Sequence, residues 1–410
     1  MAVGLVSVLF ALAADWAQST FLTIGHRFWV VPLLLTPAGF VFCAWAAREF
    51  FPGAQGSGIP QAIAARQMPR DLALRRLLSL KICIGKIVLT MVGLLTGASI
   101  GREGPTVQIG AAVMLQVARL EAFASAPGLI LAGSAAGIAA AFNAPLAGVV
   151  FAIEEMSRSY EVRTNGLVLI TVIISGLVSL GLTGNYTYFG ITHVTASTPR
   201  DWALAVACGV FGGLAGGVFS RLMLQGSRLA KAWIAVHEAR RRFTFPLGCG
   251  VVVALLGVLT HGATFGTGYE QARAAVEGHA PSWDFWLAKF AATLITAISG
   301  IPGGIFAPSL AVGAGLGAWM GGATGASLGA VLGMAGYFSG VVQAPMTAFV
   351  IILEMTGNDA NVIPIMLAAV LGLGASRLVA PEPLYHALAH GFLTPTAGSA
   401  ARLSATEQTP

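Results

Sequence analysis

From Phe290 to Leu353 the chain carries not one Asp, Glu, Lys or Arg, and a second such run extends from Ala122 to Ile153. A soluble domain holds roughly 25% charged residues, whereas only 10% of these 410 residues are charged and 56% are hydrophobic. A spanning helix needs about 20 apolar residues, so the first run alone holds enough for about three. Spanning barrels alternate in polarity; these runs are continuous. The expected fold is all-α and polytopic, with the lipid bilayer as its solvent.

The net charge of +6 is spread over short loops, which argues against a nucleic-acid partner. Basic loops mark the cytoplasmic face. They are "RQMPRDLALRR" (66–76), "SRSYEVR" (157–163) and "HEARRRF" (237–243), while 183–201 is nearly neutral and 269–284 is net acidic. Cys43, Cys83, Cys208 and Cys249 sit in apolar surroundings without ligand spacing, so core packing is expected, with no disulfide, metal or cofactor. The N-terminal "MAVGLVSVLFALAADWA" lacks a basic n-region and reads as a retained first helix, not a cleaved signal. The short polar stretch after Leu393 suggests a cytoplasmic tail at 396–410 and no appended soluble domain.

An internal repeat organises the chain. "GSAAGIAAAFNAPLAGVVFAIEEM" from Gly133 matches "GMAGYFSGVVQAPMTAFVIILEMT" from Gly333, aligning Ala144 with Ala344, Pro145 with Pro345 and Glu154 with Glu354. Upstream, "GASIGREGP" (97–105) parallels "GIPGGIFAP" (300–308) at an offset of 203. The reading is a single membrane domain over 1–395, with one half at about 28–185 and the other at about 201–380. Repeats with interrupted helices are a transporter signature. Outward apolar surfaces for a second subunit are expected on 146–180 and 344–376, with Ile153 and Ile352 on them.

Proline is tolerated in the first turn of a helix, so "GREGPTVQIG" and "GGIFAPSLAVG" read as chain breaks followed by helix starts. The first N–H groups of each helix lack partners, which is costly inside a membrane. An anion satisfies them, helped by the positive end of the helix dipole. "FPGAQGSGIPQ" (51–61) has the same grammar, with Ser57 adding a hydroxyl. Three such starts meeting at mid-membrane make an anion site without a full positive charge, from which the anion can leave.

"GSGIP", "GREGP" and "GIFAP", in that order, with "FNAPLAGVVFAIEEM" and "PLY" (383–385), resemble the signatures of the CLC family of chloride channels and chloride/proton exchangers over nearly the whole chain. The resemblance implies broken and partial-span helices in two inverted-topology repeats. It further implies a homodimer with one pathway per subunit, in a bacterial inner membrane. Carried onto this sequence, Ser57 and Tyr385 supply hydroxyls to a central chloride, and Ile305 and Phe306 supply backbone N–H groups. Glu103 becomes the external gate and Glu155 the internal proton-transfer carboxylate. Gly101, Arg102, Gly104 and Pro105 shape the turn around the gate. The serine and tyrosine fit the chloride branch better than the fluoride branch.

A carboxylate is itself an anion, so Glu103 competes with chloride when charged and carries a proton when neutral. The alternative, an Arg102–Glu103 pair capping a helix, is disfavoured because adjacent residues do not face each other on a helix. Glu154 and its repeat mate Glu354 read as structural, leaving Glu155, opposite Met355, as the unsymmetrical acid. Its presence favours a chloride/proton antiporter; a passive chloride channel of the same fold is the alternative, as is a helix-end acid paired with Arg158 or Arg163.

Lys86, in "KICIGKIVLTM", either adds positive potential near the anion or snorkels to the cytoplasmic side. The seven histidines, His386 included, read as solvated. Gln61 follows "GSGIP" where many relatives of that family carry Glu, which removes a charge near the cytoplasmic mouth. An intramembrane serine enzyme using "TGASIG" or "LAGSAAG" needs a His or Lys base on a facing helix, and none is expected within the apolar segments of the second half.

Overall fold

The computed structural model describes residues 1–117, 125–157, 162–184, 187–192 and 194–393. The tail at 396–410, Arg158 and His193 lie outside them, as do the side chains of His26 and Arg163. The chain opens with α1 (Ala2–Arg27), α2 (Val31–Glu49), α3 (Ile59–Arg66), α4 (Arg70–Arg76) and α5 (Leu80–Leu95). Next come α6 (Glu103–Val117), α7 (Ala126–Phe142), α8 (Pro145–Phe151), a π-helical turn (Ala152–Ser157) and α9 (Val162–Thr183). The second half holds α10 (Pro199–Val236), α11 (Glu238–Leu259), α12 (Tyr269–Val276), α13 (Phe285–Ile298) and α14 (Phe306–Val342). It closes with α15 (Pro345–Thr356), α16 (Val362–Val379) and α17 (Leu384–Leu393). Eight helical stretches among the described residues are long and apolar enough to cross a membrane. The protein is a multi-pass, all-helical membrane protein.

The repeat appears in the backbone. Asn143 and Gln343 both take left-handed dihedrals (φ 53°, ψ 39° and φ 60°, ψ 37°), and the alanine after each is matched as well, at φ −132° and −128° with ψ 82° in both. Proline then starts α8 and α15. Glu154 accepts from the N–H groups of Met346 (3.1 Å) and Thr347 (2.7 Å) at the start of α15. Glu354 accepts from Leu146 (3.0 Å) and Ala147 (2.7 Å) at the start of α8. Each short helix is thus capped by the acid at the far end of the other, where a carboxylate complements the dipole. The two helices run antiparallel, so the axis relating the halves is perpendicular to them. That is an inverted repeat.

Small residues let the buried helices approach closely, as membrane packing favours. A Cβ on Gly213 of α10 would lie 2.4 Å from the carbonyl of Gly372 on α16. Within α14 the chain turns at Gly322 (φ 64°, ψ −166°), and its two arms pack back on each other. There a Cβ on Gly317 would overlap the carbonyl of Gly329. The first half repeats this contact between α6 and α7, where Gly110 and Gly133 meet as Gly313 and Gly333 do.

Two expectations need correcting. Ile352 is buried (1% exposed) and faces the core; the apolar residues turned outward on that surface are Leu146, Ile170, Ile173, Leu177, Met346, Ile363 and Val370. The stretches 66–76 and 237–243 are not only loop, since the first contains α4 and the second opens α11.

Candidate functional site

Three helices begin at one point. Gly58 precedes α3, Gly104 lies in the first turn of α6, and Gly304 stands just before α14. A Cβ on Gly58 would come within 2.6 Å of the Gly104 carbonyl; one on Gly104 would lie 2.3 Å from Ser57 Oγ and 3.2 Å from Gly304 Cα. Only glycine permits this convergence. Backbone bonds fix it: Gly101 and Gly304 exchange two of 2.7 Å, Gly56 N–H donates to Ile301 (3.2 Å), and Gly303 N–H donates to Gly56 (3.1 Å). Pro105 packs its ring against Gly304.

Glu103 is fully buried at the head of α6. Its carboxylate lies over Gly101, in the space a Cβ there would need, and beside Pro308 and Ala307 at the start of α14. The N–H groups of Glu103 and Ala307 bear on it, yet neither carboxylate oxygen completes a hydrogen bond. Ile305 and Phe306 are buried where α14 starts, in the turn whose N–H groups have no intrahelical acceptor. Ser57 Oγ and the Tyr385 hydroxyl are buried beside each other, and neither completes a well-formed hydrogen bond. Tyr385 enters from α17, with its ring 5.8 Å from that of Phe306. The structure therefore brings Ser57, Glu103, Ile305, Phe306 and Tyr385 together.

Arg102 turns away from this cluster. Its guanidinium bonds the carbonyl of Ala11 (2.7 Å) and Asp15 (2.5 Å) on α1 and lies 5.7 Å from the Tyr188 ring. It is no cap paired with Glu103. Asp15 gave no signal in the sequence, because its partner is far along the chain.

Two cavities flank the cluster. One, of about 360 Å³, is lined by Asp15, Gln18, Arg102, Tyr188, Tyr269 and Glu270. The other, of about 320 Å³, reaches Ser57 and is lined by Arg48, Gln55, Gln61, Lys231 and Phe392. Gln61 borders that mouth but is itself buried, and accepts from the Gly58 N–H (3.1 Å) as part of the α3 cap.

Lys86 does not snorkel. It is fully buried, and its Nζ donates to the Gly56 carbonyl (2.8 Å). The expectation of no lysine within the apolar segments of the second half is overturned by Lys289. This residue of α13 is equally buried, with Nζ on the carbonyls of Thr264 (2.9 Å) and Gly266 (2.7 Å). Lys86 and Lys289 are separated by the repeat offset of 203, the signal that could have found it. Lys289 serves no serine: Ser99 pairs instead with Thr293 Oγ1 (2.9 Å).

Glu155 is buried (2% exposed) in the π-helical turn. His386 is not simply solvated, for its Nε2 lies 2.9 Å from the Glu155 carbonyl and 3.9 Å from Glu155 Oε1.

The family described as "Voltage gated chloride channel" matches residues 39–377, most of the chain. The chain belongs to this family. It is 31% identical, over 93% of its length and 84% of the relative's, to the H(+)/Cl(-) exchange transporter ClcA of Salmonella agona (strain SL483). Its fold is that of a slow cyanobacterial Cl-/H+ antiporter (TM-score 0.81, 22% identity, 96% of both chains). A CLC-type fluoride/proton antiporter shares it too (TM-score 0.73, 22% identity, 94% of this chain and 97% of that one).

Proposed function

We propose that this member of the voltage-gated chloride channel family is a chloride/proton antiporter. The observation that carries the reading is Glu103, a buried carboxylate at the meeting of three helix starts, between two cavities, with neither oxygen hydrogen-bonded. Chloride and the Glu103 carboxylate are alternative occupants of one set of donors: the N–H groups of Ile305 and Phe306 and the hydroxyls of Ser57 and Tyr385. Gly101 and Gly104 leave room for the exchange, Pro105 sets the helix start, and Arg102 anchors the turn to α1. Protonation removes the carboxylate's claim on the donors and admits chloride from outside.

Glu155 is the internal proton carrier in this reading, since intramembrane carboxylates mark proton routes. The exchange named for ClcA supports antiport over passive conduction. The single domain spans 1–395, with halves at about 28–185 and 201–380. Two subunits, each with its own pathway, sit in the inner membrane of a bacterium. The basic loops and the 396–410 tail face the cytoplasm, with Arg48 and Lys231 at the inner mouth. No cofactor or enzymatic step is involved.

Reconstitution into chloride-loaded liposomes tests the proposal. Chloride leaving down its gradient is expected to drive proton uptake against none. Chloride efflux with no proton movement makes the protein a passive channel, and no chloride efflux removes the anion pathway altogether.

A further inference from the structure

We infer that Asp15 of α1 is a positioning residue for the gate: it holds Arg102 and offsets its charge, and so sets how acid the medium must be for chloride to pass. The inference rests on the reading of Glu103 as the gate and adds to it a residue from another helix. Arg102 directly precedes Glu103, and its side chain is almost wholly buried (4% exposed). A guanidinium is always charged. Left uncompensated beside Glu103, such a charge favours the ionised carboxylate, the form that competes with chloride.

Two acceptors hold the guanidinium, and both act at Nη1: the Ala11 carbonyl (2.7 Å) and Asp15 Oδ1 (2.5 Å). Nε is buried with no acceptor. Ala11 lies one turn before Asp15 in α1, so its carbonyl also serves the backbone ladder of that helix. Asp15 is the contact dedicated to Arg102, and the one of the two that carries a charge. Its side chain is 63% exposed, and an ion pair with so exposed a partner is a weak brace for a fold. Both residues line the cavity of about 360 Å³ that flanks the cluster, so the charge balance of the pair bears on the gate beside it.

No other charge near Glu103 takes the place of Asp15. Glu270 of α12 lines the same cavity with Tyr188 and Tyr269, yet among the described residues Arg102 forms an ion pair with Asp15 alone. Arg273 and Glu277, further along α12, pair with each other (2.8 Å). The sequences of α7 and α14 bring no Asp, Glu, Lys or Arg. Lys86 of α5 is turned to the Gly56 carbonyl, and Lys289 of α13 to those of Thr264 and Gly266. From α17 comes Tyr385, its ring against Phe306. Removing the Asp15 charge therefore leaves Arg102 uncompensated, and chloride needs a more acid medium to displace the carboxylate. Removing the Arg102 charge leaves Asp15 behind, and the shift reverses.

Chloride efflux from liposomes held at equal pH on both sides, from about pH 4 to about pH 8, tests the inference. Asp15→Asn keeps an acceptor for Nη1 and loses the charge. The pH of half-maximal flux is expected to fall by about one unit in this variant and to rise in Arg102→Gln. Flux at the acid end stays at the wild-type level in Asp15→Asn, which reports a folded protein, and Asp15→Glu keeps the wild-type profile. Added to Glu103→Gln, Asp15→Asn is expected to leave flux flat across the range, because Asp15 acts through Glu103. A wild-type profile in Asp15→Asn, with Glu103→Gln flat, overturns the inference alone and leaves the pair a brace between α1 and α6. Flux lost at every pH in Asp15→Asn and regained in Asp15→Glu overturns it in the same way. A pH response that survives in Glu103→Gln overturns the gate reading, and this inference with it.

Discussion

Gly101 and Gly304 hold each other by two backbone hydrogen bonds of 2.7 Å, each glycine donating once and accepting once. The offset of 203 that aligns the upstream segments makes them the same position in the two halves. A pair bonded reciprocally at equivalent positions lies on the axis that relates the halves. Glu103, two residues beyond Gly101 and the gate in the proposed reading, is therefore built at the centre of pseudo-symmetry. Its counterpart in the second half is Phe306, so one half offers a buried carboxylate and the other a helix start.

Close approach at this centre makes Gly104 intolerant of any side chain. The added Cβ of Gly104→Ala would lie 2.3 Å from Ser57 Oγ and 2.9 Å from the Ser57 carbonyl. The hydroxyl can turn aside; the carbonyl cannot. Chloride affinity is expected to fall about tenfold or more, a loss of about 1.4 kcal/mol, with an unchanged elution profile in detergent. Calorimetry showing native affinity would mean that the three helix starts are looser than described.

Glu103→Gln removes the competing charge and keeps the shape of the side chain. Chloride flux is expected to continue at every pH from about 4 to about 8, without the rise on acidification that protonation of a carboxylate gives. Proton uptake should vanish. Chloride-driven proton movement that survives in this variant would remove Glu103 from the gate.

Tyr385→Phe deletes one hydroxyl and leaves the ring against Phe306. A hydrogen bond to a charged group contributes about 1.5–3 kcal/mol, roughly tenfold to a hundredfold in affinity. Backbone donors remain, so weaker binding is expected, not its loss. Ser57→Ala should act in the same direction. Unaltered chloride affinity in both variants would take the two hydroxyls out of the site.

The buried lysines differ in what they leave behind when removed. Lys86→Met still leaves the Gly56 carbonyl its bond from Gly303 N–H (3.1 Å). Lys289→Met strips the carbonyls of Thr264 and Gly266 of the donor that holds both. An unsatisfied buried polar group costs about 1–3 kcal/mol. Thermal unfolding in detergent should therefore start lower for Lys289→Met than for Lys86→Met. The reverse order would show that Lys86 bears more of the fold than its single bond suggests.

The broken helices, the repeat and Glu103 were legible in the sequence because glycine, proline and an isolated acid act locally. Glu154 and Glu354 could be read as structural from their matched positions alone. Lys86 could not be resolved between two roles, since its burial depends on how α5 packs. His386 follows Tyr385 directly, yet meets the carbonyl of a residue 231 positions away, and no local pattern encodes that meeting. Asp15 on Arg102 is the same case, joining α1 to the head of α6. Outward and inward faces were confused at Ile352 because α15 is apolar on both sides.

The outward face argues for a second subunit. At about 1.5 Å per residue, α8 and α15 are too short to cross the bilayer, and each ends near an acid, Glu154 or Glu354, that is only partly buried. A carboxylate left facing lipid is costly. Around these acids the surface is formed by Leu146, Met346, Ile170, Ile173, Ile363 and Val370, all strongly exposed. A second copy placing the same surface against this one removes the acids from lipid and buries the apolar residues at once. Ile173→Trp together with Val370→Trp puts bulk on that face without touching the core. The pair is expected to shift the protein from dimer to monomer in light scattering of detergent-solubilised samples, with chloride flux retained in each subunit. If the double variant stays dimeric, the contact lies on another face, and lipid headgroups or water must shield Glu154 and Glu354.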